Sequence, residues 1–366
     1  METIYKKYAN LLTNYCLSVK KGDRVLIKST YLAEPLLQEF LIAINEAGGH
    51  PLLDIDIQGQ HKIMMDTSEE HQLKWIAPHT KYAMENFECY INVRAPFNLR
   101  EGGNVSIEKT KILKNARKEM MQTYRDRTAI LDLKRSLCQF PTNASAQNAG
   151  MSLKEYENFV FNACKLFEDD PIQGWLDLGK AQQGIVDHLN KCEKVHYKGP
   201  NIDLKFSTKG RIWMNSDGRT NMPSGEVYTA PVDDSANGWV KFTYQSIYMG
   251  GEVDEVYLEV KDGEVVKWDA KSGKELLDKV FSMPGARRFG EAAIGTNAQI
   301  QKITKNILFD EKIGGSIHLA VGQAYQQCGG INESAVHWDM ITDMKDGGEI
   351  YADDEMIYQN GVFIIN

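Results

Sequence analysis

The stretch from Phe289 to Asp339 constrains the fold more than any other part of the chain. It reads F-G-E-A-A-I-G, then I-L-F-D-E-K-I-G-G-S-I-H-L-A-V-G-Q-A-Y, then G-G-I-N-E-S-A-V-H-W-D. Apolar and glycine-rich segments are interrupted by Glu291, Asp310, Glu311, His318, Tyr325, His337 and Asp339. Two of the chain's 8 histidines fall here. Burying such groups is costly unless something pairs with them. A metal ion is one such partner, and imidazole with carboxylate is the ligand set of zinc, manganese, cobalt and iron.

Two local spacings point the same way. His337 and Asp339 are two residues apart, so on an extended strand both face one side while Trp338 packs behind. His318 and Tyr325 are seven apart, which places them on one side if that stretch is helical; Gly322 between them weakens a helix there. Each residue alone has a plainer reading. A single buried histidine is commonly a core residue bonded to a neighbour, and a lone His-x-Asp is as often structural as ligating. The argument for a metal centre rests on the accumulation of candidates.

At 366 residues the chain has room for two domains. Its apolar content of 42% and charged content of 25% are those of a water-soluble globular protein. A net charge of −8 argues against nucleic acid as a partner. No apolar run reaches the roughly 20 residues of a membrane span, and the start M-E-T-I-Y-K-K-Y lacks the apolar core of a signal peptide. The 6 cysteines are scattered without a C-x-x-C pair. They read as reduced thiols of a cytoplasmic protein rather than a disulfide framework or a thiolate zinc site.

Along the chain, an amphipathic helix over residues 4–17 precedes a buried strand at Val25–Ile27. A helix opening near Pro35 ends at Gly48-Gly49, and strands follow at Leu52–Ile55 and Cys89–Val93, with a helix from Ser68 to about Ile76 between them. Alternating strands and helices with short connections imply a parallel sheet in an α/β domain. No glycine-rich nucleotide motif follows a strand. Residues 104–130 read as helical, and Ser152 to Glu155 is a capping box opening another helix. Near Lys198-Gly199-Pro200 the texture changes to short alternating segments between glycine turns, including an Asp262-Gly263 hairpin turn. The expected architecture is therefore an α/β domain, 1–198, followed by a β-rich α+β domain, 199–366, that carries the metal site. One further stretch, Asp217 to Pro231, reads as a turn entering a strand, except that Glu226 opens an otherwise apolar Val227–Ala230 segment.

Taken together these segments resemble the thermophilic-type metalloaminopeptidases, the aminopeptidase T and aminopeptidase S family. N-M-P-S-G-E-V-Y-T-A-P, F-G-E-A-A, L-F-D-E with H-L-A-V-G-Q-A-Y, and N-E-S-A-V-H-W-D are similar to that family's motifs and occur in the same order. The resemblance runs over nearly the whole chain. It implies two divalent ions (Zn, Co or Mn) held by Glu226, Glu291, Glu311, His318, His337 and Asp339, with Glu291 as the bridge. It also implies Tyr325 as a catalytic residue at the centre, peptides with a free N-terminus as substrates, and a homodimer. Glu311 is open between ligand and general base, with Asp310 a weaker candidate for the base, and Arg219 is a candidate contact to the substrate backbone. Two departures stand out. K-I-G-G-S-I puts six residues between Glu311 and His318 where the family pattern has four, so this segment must loop out, and M-I-T-D-M follows Asp339 in place of F-M-I-G. The competing expectations are a dinuclear hydrolase of another class, such as a phosphoesterase, and a non-catalytic relative with a decayed site. The first would want lysine or arginine clamps, and 289–339 offers only Lys302, Lys305 and Lys312.

Overall fold

The computed structural model describes residues 3–365 and divides into two compact units. The first comprises 3–172 and 218–223, the second 173–217 and 224–365. The texture change near Gly199 thus lies within the second unit. The reason is visible in the helix Pro171–Leu189: Val186 and Leu189 at its end belong to the same apolar core as Val195, Tyr197 and Ile202.

The first unit is built on a parallel sheet, as strand-helix-strand alternation requires. Strand Arg24–Thr30 lies between His50–Asp56 and Cys89–Arg94, followed outward by Lys134–Gln139 and the two-residue strand Asn221–Met222. The expected helix over 104–130 is two helices, Ile107–Ala116 and Lys118–Ala129. The expected helix from Ser68 is shorter, Glu70–Lys74, and its N-cap is Glu69, which pairs reciprocally with Gln72. Ser152 and Glu155 form the capping box read from the sequence.

The second unit packs two antiparallel sheets over one core. The larger has eight strands, and its Tyr257–Lys261 and Glu264–Asp269 pair turns at Asp262 and Gly263, with φ of 49° and 77° as a type I′ turn requires. The smaller has five, in the spatial order His337–Asp343, Ser316–Gly322, Phe289–Gly295, Glu226–Thr229, Met214–Ser216. Ser316–Gly322 is therefore a strand, not the helix that would have aligned His318 with Tyr325. Its seven residues are buried throughout, and such a run carries no period that separates strand from helix.

One face of this five-stranded sheet is apolar. Val227, Ala292, Ile294, Ile317, Leu319, Val321, Trp338 and Met340 all enter the core shared with the larger sheet. The opposite face carries the ionisable residues, because directly paired residues of adjacent strands point to the same side. A bulge makes this possible. The register shifts between Phe289, paired with Val321, and Glu291, paired with Ala320. Without the extra residue, Phe289 and Glu291 would share a face; with it, the ring enters the core and the carboxylate turns to the other side. Gly290 sits at the bulge, where a Cβ would come within 2.3 Å of the Gln323 carbonyl oxygen.

Gly290→Ala should therefore lower stability by about 2–4 kcal/mol, since backbone must move to admit the methyl group. Gly184→Ala, at an exposed position of the helix Pro171–Leu189 with open space around it, should instead be neutral or raise stability by up to about 1 kcal/mol. Denaturant unfolding of the two variants beside the parent checks both signs. Equal midpoints would remove the bulge from this account.

Candidate metal centre

The register of the five-stranded sheet brings distant residues of the sequence together. Glu291 pairs with Ala320, which pairs with Asp339; His318 pairs with Ala293; His337 pairs with Gly322; Glu226 pairs with Gly295. Alternation then places Glu226, Glu291, His318, His337 and Asp339 on one face. On at least one side each of them pairs with alanine or glycine (Ala293, Ala320, Gly295 or Gly322), which leaves room above the sheet for side chains to converge. Glu311 follows the short helix Ile307–Asp310 and joins them from the side. Every ligand expected from the sequence thus lies in this one cluster.

The distances are those of ligands sharing ions. Glu226, Glu291 and His318 offer donor atoms within 4.8 Å of one another, as do Glu291, His337 and Asp339, and as do Glu311, His318 and Asp339. Glu291 belongs to two of these groups. Its Oε1 is 3.5 Å from His318 Nε2 and its Oε2 is 3.3 Å from His337 Nε2. His318 Nε2 is also 3.5 Å from Glu226 Oε2, and His337 Nε2 is 3.7 Å from Asp339 Oδ1. The other nitrogen of His337, Nδ1, lies 2.9 Å from the Gln323 carbonyl and donates to it when protonated, which leaves Nε2 for the centre. Trp338 packs behind, its ring stacked 5.0 Å from Tyr248 and its Nε1 donating to Ser246 Oγ at 2.7 Å. Gln182 fixes the neighbouring strand by donating Nε2 to the Glu226 carbonyl at 2.9 Å.

Several buried polar atoms in the cluster make no hydrogen bond among the described residues: Glu226 Oε2, both ring nitrogens of His318, and Asp339 Oδ1. Unsatisfied donors and acceptors at such positions call for a partner. Oxygen and imidazole donors at these distances suit divalent ions, so the residues present fit a metal.

The ionisable groups of the cluster shift one another strongly. Burial pushes Glu291 up, but the imidazoles of His318 and His337 outweigh it and hold its carboxyl at about 2. Burial pulls the histidines down, yet Glu291 and the other carboxylates raise His318 to about 9 and His337 to about 10. Burial and the neighbouring Glu291 raise Asp339 to about 7. Burial also raises Glu226. The charge of Glu291, with burial, holds the Tyr325 phenol well above its ordinary range. Tyr325 is half-buried, its ring 5.1 Å from that of His337 and 5.4 Å from that of Tyr228.

Three further residues named from the sequence have contacts of their own. Asp310 is a structural residue: its Oδ1 accepts from the Thr304 amide and hydroxyl, both at 2.8 Å, and burial raises it to about 7. Arg219 lies in the first unit, its guanidinium 4.4 Å from the Tyr15 ring centre and donating to the Tyr15 carbonyl. Lys312, considered in the sequence only as a clamp for the phosphoesterase alternative, is 1% exposed, and its Nζ is 2.8 Å from Glu226 Oε1 and also bonds Glu311 Oε1. Burial opposes its charge, but the two carboxylates raise its pKa and keep it an ammonium. The segment K-I-G-G-S-I does turn out of the strand, yet it turns its lysine inward. The signal was the six-residue spacer with a lysine beside the candidate ligand.

Imidazole and carboxylate donors converging over one face of a sheet are the donor set of a metal site other than a structural zinc site built on thiolates. The chain belongs to the thermophilic metalloprotease family M29, whose model matches residues 1–363, and it is accordingly a metal-dependent peptidase, a hydrolase of peptide bonds. Aminopeptidase PepS of Streptococcus thermophilus is 30% identical over 260 residues, a stretch that covers 62% of this chain and 62% of that protein, just under two thirds of its length. Aminopeptidase 2 of Geobacillus stearothermophilus is 26% identical over 383 residues, covering 93% and 92% of the two chains. The structure of wild-type AmpT from Thermus thermophilus superposes with a TM-score of 0.82 over 99% of each chain at 22% identity, and so shares the fold, a parallel-sheet α/β part followed by a β-rich part.

Metal ligation needs neutral imidazoles, whereas His318 and His337 carry protons up to about 9 and about 10. Loading near pH 7.5 should therefore release about two protons in all, and apparent affinity should rise with pH until both imidazoles are neutral. Calorimetric titration of metal in buffers of different ionisation enthalpy reads this directly. A binding heat independent of the buffer would contradict it.

Proposed function

We propose that the chain is an aminopeptidase that removes the N-terminal residue of peptides, using two divalent ions held by Glu226, Glu291, Glu311, His318, His337 and Asp339. The observation that carries this reading is the pair of three-ligand groups joined by Glu291, together with the peptidase family. Zn²⁺, Co²⁺ and Mn²⁺ all suit the donor set. When bound, such ions polarise a carbonyl and acidify a water.

The chain's own residues supply the rest. His337, held through Nδ1 by the Gln323 carbonyl, presents a fixed Nε2. Tyr325 keeps its proton, because the charge of Glu291 opposes a phenolate beside it, and donates a hydrogen bond to the oxyanion that forms as water adds to the peptide carbonyl. Glu311 is either the sixth ligand or, where it does not hold an ion, the base that accepts the proton of that water and delivers it to the amine nitrogen released when the C–N bond breaks. A centre with four carboxylates favours a substrate that brings a free α-amine, and an acylated terminus removes that group. This is the basis for cleavage at the N-terminal residue. Lys312, the lysine nearest the ions in the phosphoesterase reading, is held between Glu226 and Glu311, so it is placed as an internal countercharge and not as a phosphate clamp. The six free cysteines, five of them buried, fit a reducing compartment, and we place the protein in the cytoplasm; no helix among the described residues is long and apolar enough to cross a membrane. A homodimer, as the resemblance implies, is part of the same proposal.

Hydrolysis of a leucine-containing tripeptide tests the reading. Free leucine should appear with added Zn²⁺, Co²⁺ or Mn²⁺, disappear on chelation, and not appear from the N-acetylated peptide. His337→Ala should abolish turnover. Tyr325→Phe should lower kcat on the order of 100-fold with KM little changed, as expected for a donor that acts only in the transition state. Metal-dependent cleavage of the acetylated peptide would overturn the exopeptidase assignment.

A further inference from the structure

Lys312 is one of the largest side chains in the protein that is fully buried. Its ion pairs reach members of two of the three groups of candidate ligands, and none reaches Glu291, His337 or Asp339. Its Nζ takes Glu226 Oε1 at 2.8 Å, and Glu226 belongs to the group with Glu291 and His318. The same ammonium bonds Glu311, which belongs to the third group, with His318 and Asp339. Among the described residues no ion pair joins Lys312 to Glu291, His337 or Asp339; the ion pairs of these three run among themselves and to His318. Only Oε2 of Glu226 remains for an ion, since Oε1 is taken by the lysine. An ion there must also sit near a fixed positive charge that cannot swing into water.

We infer that Lys312 makes the two metal positions unequal. The position at Glu291, His337 and Asp339 binds tightly, and the position at Glu226, Glu291 and His318 is weak and exchangeable. The ammonium already neutralises part of the charge that would otherwise recruit the second ion. This inference rests on the metallopeptidase reading and adds to it a selectivity in occupancy, with Lys312 as a positioning residue for the ions. Two like-charged centres at close range in a water-poor interior weaken the second site by on the order of 100-fold or more.

The experiment is metal content by elemental analysis after Zn²⁺ loading and passage through metal-free buffer, for the parent protein, Lys312→Met and Lys312→Gln. The parent should retain about one equivalent and each variant about two, because removing the ammonium frees both Glu226 and Glu311. The parent alone keeps the inference falsifiable should either variant fold poorly. Cobalt titration of the parent, followed by its visible spectrum, should show one saturating step at low metal and a second only at on the order of 100-fold higher concentration. Two equally tight ions in the parent would overturn the inequality while leaving the peptidase reading intact. One tight ion in the parent and in well-folded variants would remove Lys312 as its cause. No retained ion in any of the three proteins would overturn both.

Discussion

A sheet with two incompatible faces governs this protein. The five-stranded sheet of the second unit needs one face dry, because Val227, Ile294, Leu319, Val321 and Met340 build the core with the larger sheet. Its other face holds carboxylates and imidazoles at 3.3–3.7 Å from one another. Neither face tolerates the residues of the other, so register is strongly specified: a one-residue slip would put Glu291 or His318 into the core and leucine or valine among the ions. The bulge at Gly290 is where this demand is met for the strand that carries the shared ligand. Alanine and glycine opposite the ligands are the complementary choice, since a larger side chain at Ala293, Ala320 or Gly295 would fill the space over the sheet into which the donors converge.

Much of this was legible because it follows period two or local turn chemistry. His337 and Asp339 flanking Trp338 lie on the expected strand, with the indole packed behind them, and the Asp262-Gly263 turn and the Ser152 capping box have the conformations their residues dictate. The first unit's parallel sheet followed from strand-helix alternation and short connections. Other features were hidden for physical reasons. Ser316–Gly322 is buried on both faces, so apolar residues occupy both sides and erase the period; only His318 breaks the run. A bulge leaves no mark beyond a glycine, so F-G-E reads as if Phe289 and Glu291 shared a face. Glu69 rather than Ser68 caps the helix at Glu70, since both can accept a hydrogen bond and only the structure fixes the entry geometry.

Lys312 shows where reasoning from spacing alone runs short. A lysine in a glycine-rich connection is ordinarily a solvated one. Here the turn Glu311–Gly315 is anchored on both sides: Ile313 bridges to Asn297, and the Gly314 amide donates to the Asn297 carbonyl. Lys312 there faces the carboxylates of Glu226 and Glu311, which offset its buried ammonium. A buried ion pair of this kind is poor evidence of stability, because desolvation consumes most of its attraction. Its retention makes more sense as a device for setting charge at the centre.

The charges at the centre act on one another across the sheet face. Against burial, Glu291 raises His318 to about 9 and His337 to about 10, Glu226 and Glu311 raise Lys312, and burial with Glu291 raises Asp339 to about 7. Binding of metal is an exchange in which imidazole protons leave and divalent charge enters. The apolar core lies on the opposite side of the sheet and does not take part in that exchange. The sheet keeps hydrophobic burial and the candidate ligands on opposite faces of the same five strands, and that separation lets a charged cluster be built onto a sheet without breaking its core.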